Sequence, residues 1–136
     1  MRLAFLLLPL LAGCDVFDQG DCTDEFRIYD VAVLLPDGSP ASEAEVTATN
    51  RRTGTTYGPC TDPQAPYVGC FGRGGSDSTR YVVYSDVYSD ETSRRGDDVT
   101  VRAEQGGLAS EAAFRFRSGS CNSVQKRSGP DTLTLQ

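Results

Sequence analysis

Phe26-Arg-Ile-Tyr-Asp-Val-Ala-Val-Leu-Leu-Pro-Asp-Gly38 is the stretch on which the fold turns. Tyr29, Val31, Val33 and Leu35 alternate with Asp30, Ala32 and Leu34, the period of a strand with one buried face. Pro36-Asp37-Gly38 then supplies a turn, because proline presets φ and glycine accepts a left-handed backbone. Beyond it Ala44, Val46 and Ala48 face one way and Glu45, Thr47 and Thr49 the other, ending at Asn50-Arg-Arg-Thr-Gly54. The two segments read as neighbouring strands.

The same period recurs toward the C-terminus. Val99, Val101 and Ala103 alternate with Thr100, Arg102 and Glu104, and Gly106-Gly107 turns the chain. Ala112, Phe114 and Phe116 alternate with Arg115 and Arg117, and a last strand is expected from Cys121 through Leu133 and Leu135. Together with Arg80–Asp90 these segments predict an all-β sandwich of about seven strands over residues 26–136.

Upstream of the strands, Arg2 precedes a short apolar run, Leu3–Ala12, that is too short to span a bilayer as a helix. It reads as a signal peptide, residues 1–13, followed by Cys14 and an acidic tether to residue 25. Removing Arg2 with the leader takes the formal charge from -6 to -7. So acidic a chain, with no histidine, argues against nucleic acid as a partner and against docking on anionic lipid through its own surface.

Downstream of the leader there are one Ile, five Leu and no Trp, while Val, Thr, Tyr, Phe, Ser and Gly dominate. This is strand and turn composition with a lean core, of the kind that exported domains staple covalently. Besides Cys14 the chain has Cys22, Cys60, Cys70 and Cys121, and four cysteines permit three pairings. A local Cys60–Cys70 bridge suits the proline-containing loop between them, and Cys22–Cys121 then closes a loop of about 100 residues, for which chain entropy predicts roughly 4 to 5 kcal/mol of stabilisation. Without C-x-x-C spacing or histidine, no metal site is expected from the cysteines.

Leu11-Ala12-Gly13-Cys14 closely resembles the lipobox of bacterial lipoproteins. The resemblance implies diacylglyceryl transfer to the Cys14 thiol, cleavage before Cys14 and N-acylation. Acyl chains at about 0.8 kcal/mol per buried methylene would hold the domain on a membrane of the bacterial envelope. Asp15 after that cysteine resembles the inner-membrane retention signal of enteric bacteria.

Val31-Ala-Val33, Pro36-Asp-Gly-Ser-Pro40, Ala44-Glu-Val46, Arg52-Thr-Gly54 and Asp98-Val-Thr-Val-Arg-Ala-Glu-Gln-Gly107 resemble the carboxypeptidase regulatory-like domains, a transthyretin-like (prealbumin-like) group of Ig-like sandwiches. Cys121-Asn-Ser-Val124 is similar to the cysteine before the last strand in their lipoprotein members. The chain departs from the group where Gly96-Asp-Asp stands in place of an aromatic strand start. What the resemblance implies is a noncatalytic structural or accessory binding role, with no cofactor.

The residues agree with a noncatalytic reading. Absence of histidine removes Ser-His-Asp and Cys-His chemistry, and Asp86, Asp90, Glu91, Asp97 and Asp98 lie in a polar stretch where solvation is expected to keep carboxylates ordinary. Calcium is considered at Asp15, Asp18, Asp21 and Asp24 or at Asp97-Asp98, although neither has the spacing of an EF-hand loop. Gly72-Arg-Gly-Gly-Ser76 lacks the ending of a phosphate-binding loop, and Arg95-Gly96-Asp97, the tripeptide read by integrins, is taken as a turn.

The most specific local feature is the tandem Val83-Tyr-Ser-Asp86 and Val87-Tyr-Ser-Asp90. Extended, it would project Tyr84, Asp86, Tyr88 and Asp90 from one face, a stripe suited to a glycan or a basic peptide of an envelope protein. The alternative, favoured here, is a sandwich strand whose tyrosines cover the rim of the core.

Overall fold

Alternation is realised as eight strands in the computed structural model, which describes Cys22, residues 25–59 and residues 80–136. A five-stranded antiparallel sheet has the order β3 (Thr56–Tyr57), β2 (Glu45–Asn50), β5 (Asp97–Gln105), β6 (Leu108–Ser118), β7 (Val124–Ser128). A three-stranded sheet has the order β4 (Arg80–Ser85), β1 (Ile28–Leu34), β8 (Thr132–Thr134). The inner faces meet in one core: Val31 and Val33 of β1 and Leu133 of β8 join Val46, Ala48, Val99, Val101, Ala103, Phe114 and Phe116 of the larger sheet. Each such side chain, once buried, contributes about 1.5–3 kcal/mol if it is Val, Leu or Phe. The all-β sandwich is thus the fold, and the Cys22–Cys121 bond closes it, with Cα atoms 5.4 Å apart.

The turn at Gly106-Gly107 is tight for a physical reason. Both residues have positive φ, 60° and 84°, the backbone that matches strand twist in two-residue hairpins and that side chains disfavour. It sets the register of β5 and β6 from Gln105↔Leu108 to Asp97↔Phe116.

Three local expectations change. β1 and β2 are not neighbours but lie in different sheets. After the Pro36 turn the chain pairs with the end of β1 only briefly, through the Leu34–Pro40 bridge and the bond from Ala41 N to Val33 O, and buried Ala41 and Ala44 then carry it across the end of the core. The Tyr81 hydroxyl fixes that crossing by donating to Ala41 O at 2.5 Å and accepting from Ala44 N at 3.1 Å.

The expected last strand from Cys121 to Leu135 is broken in two. Gly129-Pro130 interrupts it: proline has no N–H for the ladder, and Gly129, at φ 133°, lies so close under the Phe114 ring that a Cβ would fall 2.2 Å from it. The chain leaves β7 there, changes sheet and pairs as β8 in parallel with β1.

Finally, Arg80–Asp90 is not one strand. β4 ends at Ser85 and a 3₁₀ turn, Asp86–Tyr88, follows. The first Val-Tyr-Ser-Asp copy is therefore strand up to its Asp and the second mostly helical turn, an instance of tertiary contacts overriding identical local sequence.

Candidate functional site at the disulfide end

β1 begins, β2 and β4 end, and β5 and β7 begin at the end of the sandwich that carries Cys22 and Cys121. The tyrosine tandem lies here, but not as an exposed stripe. Tyr84 is 0% exposed and Tyr88 3%, Asp86 is buried, and only Asp90 of the four faces solvent. The 3₁₀ turn rotates Tyr88 inward beside Tyr84 instead of continuing a flat ribbon. A recognition surface built from these rings is thereby corrected to a core cluster, in line with the favoured alternative.

The cluster is dense. Tyr84 stacks on Phe116 with ring centroids 4.4 Å apart, and Tyr88 lies 5.0 Å from Tyr84 and 4.1 Å from Tyr57. The hydroxyls find partners, as buried phenols require. Tyr84 Oη shares a hydrogen bond with Thr92 Oγ1 at 2.9 Å, Tyr29 donates to Val124 O at 2.6 Å, and Tyr57 donates to the Glu91 carboxylate. Burial raises the phenol pKa of Tyr57, Tyr84 and Tyr88, reinforced at Tyr57 by the bond to Glu91. Asp86 joins three segments: one carboxylate oxygen accepts Val124 N–H at 2.6 Å and the other Arg27 N–H at 2.8 Å. Among the described residues the one buried side-chain polar atom without a partner is Ser85 Oγ.

Beside the cluster stands a polar network that sequence reading passed over. Asp97, 2% exposed, accepts from Arg52 Nε at 2.6 Å and Nη2 at 2.9 Å, from Asn50 Nδ2 at 2.9 Å and from Ser93 N at 3.0 Å. A signal for it was present in the alternation. Asn50 shares parity with Ala44, Val46 and Ala48, and Asp97 with Val99, Val101 and Ala103, so each is the inward-facing polar end of an apolar series. Burial works to raise the Asp97 pKa, but the hydrogen bonds from Arg52, Asn50 and Ser93, with the Arg52 charge, outweigh it and hold the carboxylate below its usual range. The expectation that these carboxylates are solvated is thus corrected for Asp86 and Asp97.

The same geometry separates Asp97 from Asp98. Adjacent strand residues point to opposite faces, and Asp98 turns outward to Arg115 Nη1 at 2.7 Å. The pair therefore does not converge on a calcium ion, and no three His, Cys, Asp or Glu side chains among the described residues group as metal ligands. Arg95-Gly96 forms a turn, with Gly96 at φ 99°, and delivers Asp97 inward rather than presenting a tripeptide. Cys14, the acidic tether at Asp15, Asp18, Asp21 and Asp24, the Cys60 and Cys70 pair and Gly72–Ser76 lie outside the described residues.

Asp97→Ala is expected to lower stability by about 1–3 kcal/mol, since it strands the buried Asn50 amide and the Ser93 N–H. The sign with pH follows from the lowered pKa. Stability from Asp97 is complete above the unfolded carboxylate value near about 3.9 and is lost as pH falls through the folded value. Thermal melts of Asp97→Asn between pH 2 and 7 should therefore lose less stability at the acid end than wild type does, and parallel acid limbs would refute the assignment.

No family model matches the chain, and neither the curated proteins nor the solved structures contain a significant match.

Proposed function

We propose that the chain is a bacterial lipoprotein, held on an envelope membrane, inner or outer, by acyl chains on Cys14, whose sandwich is a noncatalytic structural or accessory binding module of the carboxypeptidase regulatory-like kind. The observation that carries the reading is the spacing between anchor and staple. Cys14 in its lipobox-like context stands eight residues before Cys22, which is disulfide-bonded to Cys121. Disulfides persist in exported proteins, so the bond supports the same compartment that the leader implies. Eight residues reach at most roughly 29 Å when extended, which keeps the domain near the bilayer. The sandwich and its satisfied buried carboxylates support a binding or scaffolding role over hydrolysis.

Cys14→Ser is expected to abolish labelling by radioactive fatty acid and to move the protein out of the membrane fraction, because acyl chains supply the whole of the membrane affinity in this reading. A Cys14→Ser protein that is processed and still sediments fully with membranes would overturn it.

A further inference from the structure

At the disulfide end an open cleft of about 370 Å³ is lined by Arg94, Arg117, Ser118, Gly119, Ser120 and Gln125. We propose that this cleft is an oxyanion site that takes a phosphate group.

Arg52, Arg80, Arg102, Arg115 and the single lysine, Lys126, each take a carboxylate. Arg94 and Arg117, like Arg27, Arg51, Arg95 and Arg127, make no ion pair among the described residues, in a chain with 19 acidic groups. Arg94 and Arg117 meet on one concavity, and among its described lining residues there is no carboxylate.

The lining is also oriented to donate. Arg117 Nε gives its hydrogen to Gln125 Oε1 at 2.9 Å, which holds the guanidinium in place, and among the described residues its two terminal amino groups have no partner. Because Oε1 is the atom accepting, the amide nitrogen Nε2 of Gln125 is the end left to donate. Two guanidinium groups and an amide therefore present donors, and planar guanidinium forks match the paired oxygens of phosphate. Gly119 keeps one wall bare, since a Cβ there would sit 2.7 Å from Ser123 Oγ and 3.3 Å from Gln125 Nε2. The loop is held from below by the disulfide, and Cys121 and Asn122 both take left-handed backbone, φ 61° and 52°, which non-glycine residues adopt at a cost.

The phosphate has two sources, a soluble phosphate compound or the headgroup of a lipid beneath the domain. The headgroup source alone rests on the lipoprotein reading, because it needs Cys14 to hold Cys22 and Cys121 near the bilayer.

The test is calorimetric titration of the processed protein, in dodecyl maltoside micelles at low ionic strength, with inorganic phosphate. Saturable binding is expected, at least ten-fold weaker in Arg94→Gln and in Arg117→Gln and unchanged in Arg51→Gln, an exposed arginine at the β2–β3 turn. Arg94 is exposed and its side chain takes no hydrogen bond or ion pair among the described residues, so its variant keeps the test sound should Arg117→Gln lose structure by circular dichroism. Absence of saturable binding, or equal binding by wild type and both cleft variants, overturns the proposal. Repeating the titration in phosphatidylcholine vesicles separates the sources: unchanged affinity assigns a soluble phosphate, and ten-fold weakening assigns a headgroup already in the cleft. The mass of the same preparation reports acylation of Cys14, so failure of the anchor is read separately from failure of the cleft, whose micelle titration does not need it.

Discussion

Replacing Tyr84 and Tyr88 together by alanine is expected to unfold much of the population, with Tyr84→Ala alone costing about 3–5 kcal/mol, the range for buried aromatic truncation. Tyr84 is fully enclosed and lies between Phe116, Tyr88 and Tyr57, so its removal opens a cavity bounded by rings that the two sheets hold in place. It also takes away the hydroxyl partner of Thr92. The two losses are coupled, because the rings touch, and the double variant should depart from the sum of the singles. Tyr84→Phe keeps the ring and loses only the hydroxyl bond, so about 0.5–1.5 kcal/mol is expected for it. Urea unfolding followed by circular dichroism measures all of these. A double variant within about 0.5 kcal/mol of wild type would return the tyrosines to the surface and with them the glycan or peptide reading.

The tyrosines also show what local sequence carries and what it does not. The alternation of Val31 and Val33, of Val46 and Ala48, and of Val99 through Ala103 was legible because one buried face repeats every second residue. The Gly106-Gly107 hairpin was legible because its chemistry is contained in two residues. Sheet membership was not: whether β1 lies beside β2 or across the core from it depends on Tyr81 reaching Ala41 and Ala44, contacts about forty residues apart. The tandem repeat was misleading for a related reason. Both copies have equal strand propensity, and what bends the second is the Asp86 carboxylate bound to Arg27 and Val124, one 59 and the other 38 residues away. The cleft was invisible because it joins Arg94 to Arg117 across the Ser118–Ser93 backbone bond.

Cys121→Ser is expected to lower the stability of the domain by about 4–5 kcal/mol, chiefly through the unfolded chain. The Cys22–Cys121 separation of 99 residues encloses β1 to β6, six of the eight strands, so the bond removes from the denatured ensemble most of the conformations in which the ends of that loop drift apart. Two signatures separate this cause from loss of a local contact. Cys22→Ser should cost as much as Cys121→Ser, and the double variant no more than either, because one bond is lost in every case. The denaturant slope should also rise, since an unclosed chain exposes more surface when it unfolds. A loss below about 1 kcal/mol, with an unchanged slope, would mean that the core alone holds the ends together, and that the bond serves to fix the left-handed turn at Cys121 and Asn122 rather than the fold.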